Sequence, residues 1–407
     1  MERAVDSPAT SVFNRRIVLF LVSQNLSLFG SSVVGYAIIW YITLETSSGV
    51  FLMLATLAQM VPHLLISLYS GVWADRYNRK YLIMLSDSFI ALATLVLALL
   101  FGQGFGSIQA LLVVSVIRSL GGGVQGPAVN AIIPQLVEQQ HLVRIQGINQ
   151  SINSALLLLS PAVGGLMLSL FSLTWTFYLD VLTATLAVVV FSFIKVGKLV
   201  RDAQPHSVAK DMRIGLSYTL RHPVLRNLLV CYSFSFFLIT PAAILTPLMI
   251  ERSFGPEVWR LTLNEMVWTL GALVGGILVS LKGSFSNKGK AIAFSLMAFG
   301  FCFALLGIAR PFWVYLVILG LGGIFMPVIN TAEIVMIQET SDAEKLGRVF
   351  SIVQLIAGSA MPLGILLFGP LADRFTVEIL LVISGILLVV VGLVYARSVS
   401  SRSPAVS

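Results

Sequence analysis

Residues 81–102 read YLIMLSDSFIALATLVLALLFG, an apolar run that contains one charged side chain, Asp87. Folded as a helix, a run of this length extends about 33 Å, which is close to the thickness of the hydrocarbon core of a bilayer. The apolar residues are continuous rather than alternating, so the run does not have the pattern of a membrane β-barrel strand. This stretch therefore predicts a membrane-spanning helix.

Eleven further apolar runs of similar length occur along the chain. Hydrophobic residues make up 57% of the 407 residues and charged residues only 11%, whereas a soluble domain has roughly 25% charged residues. Lipid is therefore the solvent that this composition indicates. We predict an all-α membrane protein with twelve transmembrane helices, near 17–43, 50–74, 81–102, 107–133, 143–169, 172–195, 224–250, 259–281, 289–309, 312–337, 347–371 and 376–397.

Lysine and arginine lie mostly on one side of this topology. With both termini inside, the outer loops hold only four of the 26 basic residues, namely Arg252, Arg260, Arg310 and Arg374. An excess of positive charge marks the cytoplasmic side of a membrane protein. We therefore expect a multi-pass protein of the inner (cytoplasmic) membrane with both termini cytoplasmic. Because the basic residues lie in short gaps between apolar runs, the net charge of +8 indicates a lipid bilayer as partner and no nucleic acid.

The two halves of the chain share sequence motifs. Pro127-Ala-Val-Asn130 matches Pro327-Val-Ile-Asn330 at an offset of 200, and Gly147 matches Gly347 at the same offset. A repeat at half the chain length is typical of a duplicated transporter. We predict two pseudo-symmetric six-helix bundles, with an N-terminal bundle over 1–195, a cytoplasmic linker over 196–222 that includes a surface helix around Lys210–Leu220, and a C-terminal bundle and tail over 223–407.

A second repeat relates opposite faces of the membrane. Gly71-Val-Trp-Ala-Asp75-Arg76-Tyr77 ends span two, and Gly369-Pro-Leu-Ala-Asp373-Arg374-Phe375 ends span eleven. In the predicted topology these two ends lie on opposite sides of the bilayer. Nested three-plus-three inverted repeats would produce such a relationship.

The loop after span two carries Gly71-Val-Trp-Ala-Asp75-Arg76-Tyr-Asn-Arg79-Lys80. It resembles the hallmark of the major facilitator superfamily, G-x-L-A-D-R-x-G-R-[K/R], with Trp73 in place of leucine and Asn78 in place of the second glycine. The resemblance covers the whole chain and implies a major facilitator fold. The chain is similar to the drug-efflux branch that contains macrolide-efflux proteins and the enterobactin exporter at Arg118-Ser-Leu-Gly, Pro127-Ala-Val-Asn130, Ser160-Pro161-Ala-Val and Leu346-Gly-Arg-Val-Phe-Ser351.

The resemblance implies that Gly71, Asp75, Arg76, Arg79 and Lys80 form a conformational latch. Asp75 ends span two on the side where span eleven begins. A carboxylate beside the amide end of a helix is stabilised by roughly 0.3–2 kcal/mol. In the superfamily this contact joins the halves and favours the outward-open state. For Arg79 and Lys80, a role as simple topology anchors is an equal alternative.

Arg118 is a charged residue deep within a span. It lies about 11 residues into span four, or roughly 17 Å at the helical rise. A charge at that depth usually faces a cavity or a partner. The superfamily resemblance implies a part in proton or substrate coupling, while the structural alternative is a buried ion pair with Asp180. The other titratable residues within spans are further candidates for proton coupling, namely His63, Asp87, Glu265 and Glu333.

Span five contains Pro161-Ala-Val-Gly164-Gly165, which resembles the end of the antiporter motif G-P-x-x-G-G. This resemblance favours export over import, although ordinary tight packing of small residues is the alternative. An amphipathic substrate requires aromatic walls and a few polar groups. The candidates for such a cavity are Asn25, Phe29, Tyr36, Gln125, Asn130, Asn149, Asn153, Tyr232, Phe237 and Asn330.

The chain has no nucleotide-binding motif of the form G-x-x-x-x-G-K-[S/T] and no metal-ligand pattern, and we expect no cofactor. An ion gradient, most readily of protons, is then the energy source. We predict a monomeric antiporter that exports amphipathic small molecules, such as macrolide-like drugs, by alternating access. The alternatives are export of an endogenous compound such as a siderophore or lysolipid, and, in another class, a transport-dead sensor or a membrane enzyme.

Overall fold

The computed structural model describes residues 15–137, 139–194, 208–342 and 345–400. In this part of the chain the secondary structure is helical, with a short 3-10 turn at Gln139–His141 and no strand. The α-helices are α1 (Arg15–Thr46), α2 (Gly49–Arg76), α3 (Arg79–Gly102), α4 (Ile108–Leu136), α5 (Leu142–Leu170), α6 (Leu173–Ser192), α7 (Val208–Arg221), α8 (Pro223–Ile244), α9 (Thr246–Phe254), α10 (Val258–Lys282), α11 (Lys288–Leu306), α12 (Phe312–Thr340), α13 (Leu346–Ala372) and α14 (Val377–Ser400).

Twelve helical segments of the described chain are long and apolar enough to cross a membrane. The prediction of twelve transmembrane helices is therefore confirmed. Many large apolar side chains on these helices point outwards, such as Leu85, which is 68% exposed, and Leu182, which is 57% exposed. Such faces are stable only in contact with lipid, so the chain is an integral multi-pass membrane protein.

The seventh span is interrupted, which differs from the continuous helix that we expected over 224–250. The helix α8 ends at Ile244, and α9 begins at Thr246 after a break at Leu245. Pro247 follows this break at the start of α9. Its ring lacks an amide hydrogen and clashes with the preceding turn, so a helix that reaches it from the N-terminal side must end or bend.

The surface helix expected around Lys210–Leu220 is present as α7. It packs on α13, where a Cβ atom at Gly215 would lie 3.0 Å from the carbonyl oxygen of Arg348. The linker residues 195–207 lie outside the described part of the chain. The sequence-based boundaries at 195 and 223 stay predictions.

The first of two compact units comprises the described residues of 15–38 and 58–194. Within it, α3 packs against both α4 and α6. An apolar core lies at one end of these helices and includes Phe20, Ile83, Ile132 and Phe191, each at most 2% exposed. The same helices carry the polar cluster described below.

The second compact unit comprises the described residues of 39–57 and 208–400, so it includes the turn between α1 and α2. Within this unit α11 packs on α12 and α14, α10 packs on α12, and α8 packs on α13 and α14. The contact of α11 with α14 is close because both helices have glycine there. A Cβ atom at Gly300 would lie 2.6 Å from the carbonyl oxygen of Gly385, and one at Gly385 would lie 2.5 Å from that of Gly300.

Candidate functional site

A buried ion pair lies within the first unit. The guanidinium of Arg118 on α4 donates a hydrogen bond to the carboxylate of Asp180 on α6. The Asp180 side chain is completely buried and that of Arg118 is 10% exposed. The structure thus contains the ion pair that the sequence analysis gave as the structural alternative for Arg118. Their functional role stays a prediction.

Hydroxyl groups from two other helices complete this pair. The hydroxyl of Thr94 on α3 donates to Asp180 at 2.9 Å and also contacts Arg118. Ser31 on α1 donates to Asp180 at 3.3 Å, and its carbonyl oxygen lies 3.4 Å from Arg118. One residue earlier, a Cβ atom at Gly30 would lie only 3.0 Å from Asp180, so glycine lets α1 approach the carboxylate. Four helices therefore satisfy the two charges.

A second buried carboxylate, Asp87 on α3, lies in the same group of helices and is 1% exposed. Its Oδ1 atom accepts a hydrogen bond from Ser27 at 2.7 Å and another from Gln125 at 2.5 Å. Asp87 and Thr94 are seven residues apart, as are Arg118 and Gln125, so each pair lies on one helix face about 10.5 Å apart. The polar groups therefore form two layers, which we call the Arg118–Asp87 cluster.

The Arg118–Asp87 cluster has an uneven charge balance. Among the described residues it contains one cation, Arg118, and two carboxylates, Asp87 and Asp180. Asp180 is neutralised by Arg118, whereas the hydrogen bonds to Asp87 come from an uncharged hydroxyl and an uncharged amide. A buried carboxylate without a cationic partner is costly to keep charged. Asp87 therefore differs from Asp180 in having only neutral partners among the described residues, and its role in proton coupling stays a prediction.

The remaining candidates for proton coupling are not members of this cluster. The backbone amide of His63 donates to Ser119 at 2.9 Å, while its side chain is exposed. In the second unit, Glu265 accepts a hydrogen bond from Asn264 at 3.2 Å. Glu333 interacts with Tyr232, whose hydroxyl donates to a backbone carbonyl of α12 at 3.1 Å. The structure therefore brings Arg118, Asp180 and Asp87 together and leaves His63, Glu265 and Glu333 elsewhere.

The predicted cavity residues have varied environments. Asn25 is buried and its amide nitrogen lies 3.5 Å from the amide oxygen of Asn149. Tyr232 is also buried, and the ring of Phe237 packs on Phe368 with 5.4 Å between centroids. Gln125 belongs to the Arg118–Asp87 cluster instead of an open wall. Among the other predicted cavity residues, Phe29, Tyr36 and Asn153 are half-buried. Asn130 and Asn330 are exposed.

In the predicted antiporter motif, Gly164 allows α5 to approach α1. A Cβ atom at Gly164 would lie 3.4 Å from the carbonyl oxygen of Val33 and 3.8 Å from the Cβ of Tyr36. Pro161 lies inside α5, and Gly165 is buried. These contacts are close helix packing within the first unit, and the antiport role of the motif stays a prediction.

The two last basic residues of the predicted latch bind backbone carbonyl groups, including those at the ends of α2 and α6. Arg79 is buried and donates to the carbonyl oxygens of Ala74 at 2.8 Å and Ala131 at 2.6 Å. Lys80 donates to the carbonyl oxygens of Ser192 and Ile194, at 2.6 and 2.8 Å, where α6 ends. A cation at a helix C-terminus satisfies carbonyl groups that lack helical partners. Both residues therefore have a structural role in the first unit.

The rest of this motif has fewer described contacts. Asn78, which replaces a glycine of the superfamily hallmark, begins α3 by accepting a hydrogen bond from the amide of Lys80 at 3.0 Å. Arg76 is exposed and Gly71 has open space around it. The side chain of Asp75 lies outside the described part of the structure. The latch role of Gly71, Asp75 and Arg76 stays a prediction.

The second copy of this motif makes a defined contact within the second unit. The carboxylate of Asp373 accepts hydrogen bonds from the amides of Gly49 at 2.6 Å and Val50 at 3.0 Å, and from the hydroxyl of Ser48 at 2.9 Å. Gly49 is the first residue of α2. Asp373 therefore caps the N-terminus of α2, where free amide groups favour negative charge. The repeated motif is visible in the sequence, whereas its partner at the start of α2 is not.

Arg252 also binds Asp373, and it contacts the turn between α1 and α2. Its guanidinium pairs with Asp373 at 3.1 Å and donates to the carbonyl oxygens of Ser47 and Ala372, both at 2.5 Å. The hydroxyl of Ser47 donates to Glu251 at 2.7 Å. Ser47 has a φ angle of 44°, a conformation that few residues other than glycine adopt. We call this group of contacts the Asp373 clamp.

Close backbone contact supports the clamp. A Cβ atom at Gly49 would overlap the carbonyl oxygen of Gly369, and one at Gly369 would lie 2.6 Å from the Cβ of Met53. Glycine is therefore required at both positions. Partial burial alone would raise the pKa of Asp373, but the hydrogen bonds from Gly49 and Val50 and the contacts of Ser48 and Arg252 outweigh it, so the pKa lies below its ordinary value.

Comparisons with known proteins agree with this architecture. A family model described as transmembrane secretion effector matches residues 9–404. Macrolide efflux protein A of Streptococcus pyogenes is 29% identical over 376 residues, which cover 91% of this chain and 93% of that protein. Multidrug efflux pump Tap of Mycobacterium bovis is 23% identical over 397 residues, which cover 94% of this chain and 92% of that protein.

The fold is also that of solved transporters. The crystal structure of a mutant of the nucleoside transporter NupG superposes with a TM-score of 0.73 and 14% identity, covering 95% of this chain and all of that chain. These relatives and the structural neighbour are transporters and not enzymes. With nearly its whole length matched by the family model, the chain belongs to the transmembrane secretion effector family of major facilitator superfamily transporters.

Proposed function

We propose that this protein exports amphipathic small molecules, such as macrolides or other drugs, in exchange for protons. The observation that carries export is the similarity to macrolide efflux protein A over nearly the full length of both chains. The similarity to a multidrug efflux pump supports a broad substrate range. The protein works in the inner membrane, with both termini cytoplasmic and as a monomer.

Proton coupling in this proposal depends on the Arg118–Asp87 cluster. Asp87 is buried and its hydrogen bonds come from neutral groups, so it is neutralised most easily by a proton. Asp180, in contrast, has a cationic partner in Arg118. Protonation of Asp87 changes the charge of the cluster from net negative to neutral. A change of this kind biases the packing of α1, α3, α4 and α6, and thereby the transport cycle.

Conformational control in this proposal involves the two copies of the repeated motif. Asp75 forms the latch at the cytoplasmic end and favours the outward-open state, as in the superfamily. The Asp373 clamp acts at the opposite end of α2, where it ties the α1–α2 turn to the end of α13. Release of this turn accompanies the step in which the outer side opens. In the outward-open state the latch at Asp75 is formed and the Asp373 clamp is released, and in the inward-open state the clamp is formed and the latch is released.

Resistance measured in a bacterium that lacks its own drug exporters tests this proposal. Cells that express the chain should tolerate macrolides and other amphipathic drugs better than cells with an empty vector. These cells should also accumulate less drug, and a protonophore should abolish this difference in accumulation. The matched control is Asp87→Asn expressed at the same level. If wild-type cells exclude none of the drugs in a broad panel, drug export is wrong, and the siderophore and lysolipid alternatives take its place.

A further inference from the structure

An open groove on the second unit lies between α8 and α14 and has a volume of about 420 Å³. Three residues spaced four apart line it from each helix, namely Arg226, Val230 and Phe234 from α8 and Val390, Val394 and Ser398 from α14. Residues at this spacing share a helix face, and eight residues of helix extend about 12 Å. The groove therefore follows the two helices for about 12 Å.

The two ends of the groove differ in chemistry. Arg226 and Ser398 lie where α8 begins and α14 ends, whereas Phe234 lies deeper within the span. Phe234 is 58% exposed and Val394 is 61% exposed. Exposed apolar side chains within a membrane span contact lipid tails, so the deep part of the groove fits an acyl chain.

A second cavity of about 320 Å³ adjoins the groove where α8 begins, and we call it the polar cavity because Asn287, Lys288 and Glu339 contribute to its lining. The two cavities share Asn227, Tyr395 and Ser398 in their linings. The polar cavity also contains Lys288, which pairs with Glu339 at 2.9 Å. An apolar groove that leads into a polar cavity at the end of a span has the shape of an amphiphile with one tail and one head group.

The net charge where the groove meets the polar cavity determines whether an anionic or a cationic head group is favoured. Within the described residues, the side chains of Arg226 and Asn227 have no hydrogen bond or ion pair with the protein. Lys288 and Glu339 neutralise each other, so Arg226 leaves the site with a net positive charge. A guanidinium binds phosphate oxygens with two parallel hydrogen bonds, and basic pockets between spans bind anionic lipid head groups.

We propose that this composite site binds one anionic glycerophospholipid. Its phosphate lies against Arg226 and Asn227, and one acyl chain lies along Val230, Phe234, Val390 and Val394. A cationic drug is disfavoured here, because Arg226 would repel it. The site is separate from the Arg118–Asp87 cluster and does not depend on the proposed export activity.

Lipid retention by the purified full-length protein tests this proposal. Native mass spectrometry is performed in detergent supplemented with phosphatidylglycerol or phosphatidylcholine of identical acyl chains. The variant Arg226→Ala removes the charge, and Val394→Trp fills the groove from an exposed position. The matched control is Arg310→Ala, which removes an exposed arginine from the turn between α11 and α12.

Wild-type protein should retain one phosphatidylglycerol in preference to phosphatidylcholine. Arg226→Ala should weaken this retention about fivefold, the effect of one basic residue near an anionic lipid. Val394→Trp should weaken the binding of both lipids, and Arg310→Ala should resemble wild type. Equal retention of the two lipids by wild type, or unchanged retention by Arg226→Ala, would overturn the proposal. Displacement of the lipid by a cationic drug at similar concentration would also overturn it and assign the groove to substrate.

Discussion

The carboxylate of Asp373 accepts a hydrogen bond of 2.6 Å from the backbone amide of Gly49, 324 positions earlier in the chain. This bond places an acidic residue from the end of α13 at the N-terminus of α2. The repeated motif of residues 369–375 thus has a defined structural role, and the first copy, at residues 71–77, contains the equivalent Asp75. The proposed gating mechanism treats these two carboxylates as counterparts at opposite ends of α2.

Loss of the Asp373 carboxylate should loosen the α1–α2 turn. In Asp373→Asn the amide group is a weaker acceptor for the amides of Gly49 and Val50, and the ion pair with Arg252 is lost. Caps of this kind contribute about 0.5–2 kcal/mol. Hydrogen exchange of a peptide over residues 46–54 should therefore become about two- to thirtyfold faster. The control Asp342→Asn removes an exposed carboxylate paired with Lys345 and should leave this exchange unchanged.

The contact between Asp373 and the start of α2 also predicts how the stability of the protein changes with pH. The pKa of Asp373 is lowered in the folded protein from an ordinary value of 3.8, so the clamp is favoured by the charged form. Its contribution is fully present above the ordinary pKa and is lost as the pH falls through the lowered value. The difference in melting temperature between wild type and Asp373→Asn should be constant from neutral pH to about pH 5 and should shrink below about pH 4. A difference that grows on acidification would contradict this assignment.

The ion pair between Arg118 and Asp180 should couple in a double-mutant cycle. Each single change, Arg118→Ala or Asp180→Ala, leaves the other charge buried without its partner, at a cost of about 3–5 kcal/mol in soluble proteins. Each should therefore lower the melting temperature in detergent, and the double variant should recover part of the loss. Additive effects would mean that the pair does not stabilise the protein. A folded Arg118→Ala that has lost gradient-driven export would instead assign Arg118 to coupling.

The latch at Asp75 makes a separate functional prediction. Asp75→Asn should reduce transport while expression stays close to that of wild type, because the change removes charge but keeps the size of the side chain. Drug accumulation in cells, normalised to the amount of protein in the membrane, measures this effect. Normal transport by well-expressed Asp75→Asn protein would rule out the latch. Arg76→Ala tests whether the adjacent exposed cation contributes to the same step.

The membrane spans could be predicted from sequence because hydropathy depends only on local composition. The ion pair between Arg118 and Asp180 could also be proposed from sequence, since two opposite charges at similar depth have few other partners in lipid. The donors to Asp87 were not, because helix rotation is determined by packing between spans, and Gln125 was accordingly assigned to a cavity wall. The break at Leu245 was missed because the apolar run continues across it, although Pro247 marks its place.

Asp87 is the residue on which the proposed proton coupling depends most directly. Asparagine at this position keeps the size of the side chain and can still accept hydrogen bonds from Ser27 and Gln125, so Asp87→Asn should remain folded with a melting temperature near that of wild type. It cannot take up a proton in exchange for substrate. Downhill exchange of substrate across the membrane should therefore persist while uphill transport is lost.

Transport in proteoliposomes under an imposed pH gradient tests the central claim, using an amphipathic drug selected from the resistance panel. For wild-type protein, a proton gradient without ATP should drive the drug against its concentration gradient, in the direction opposite to proton flow. A protonophore should abolish this accumulation, and Asp87→Asn should show drug exchange but no accumulation. Accumulation that requires ATP and no ion gradient, or accumulation by Asp87→Asn equal to that of wild type, would contradict proton coupling through the Arg118–Asp87 cluster.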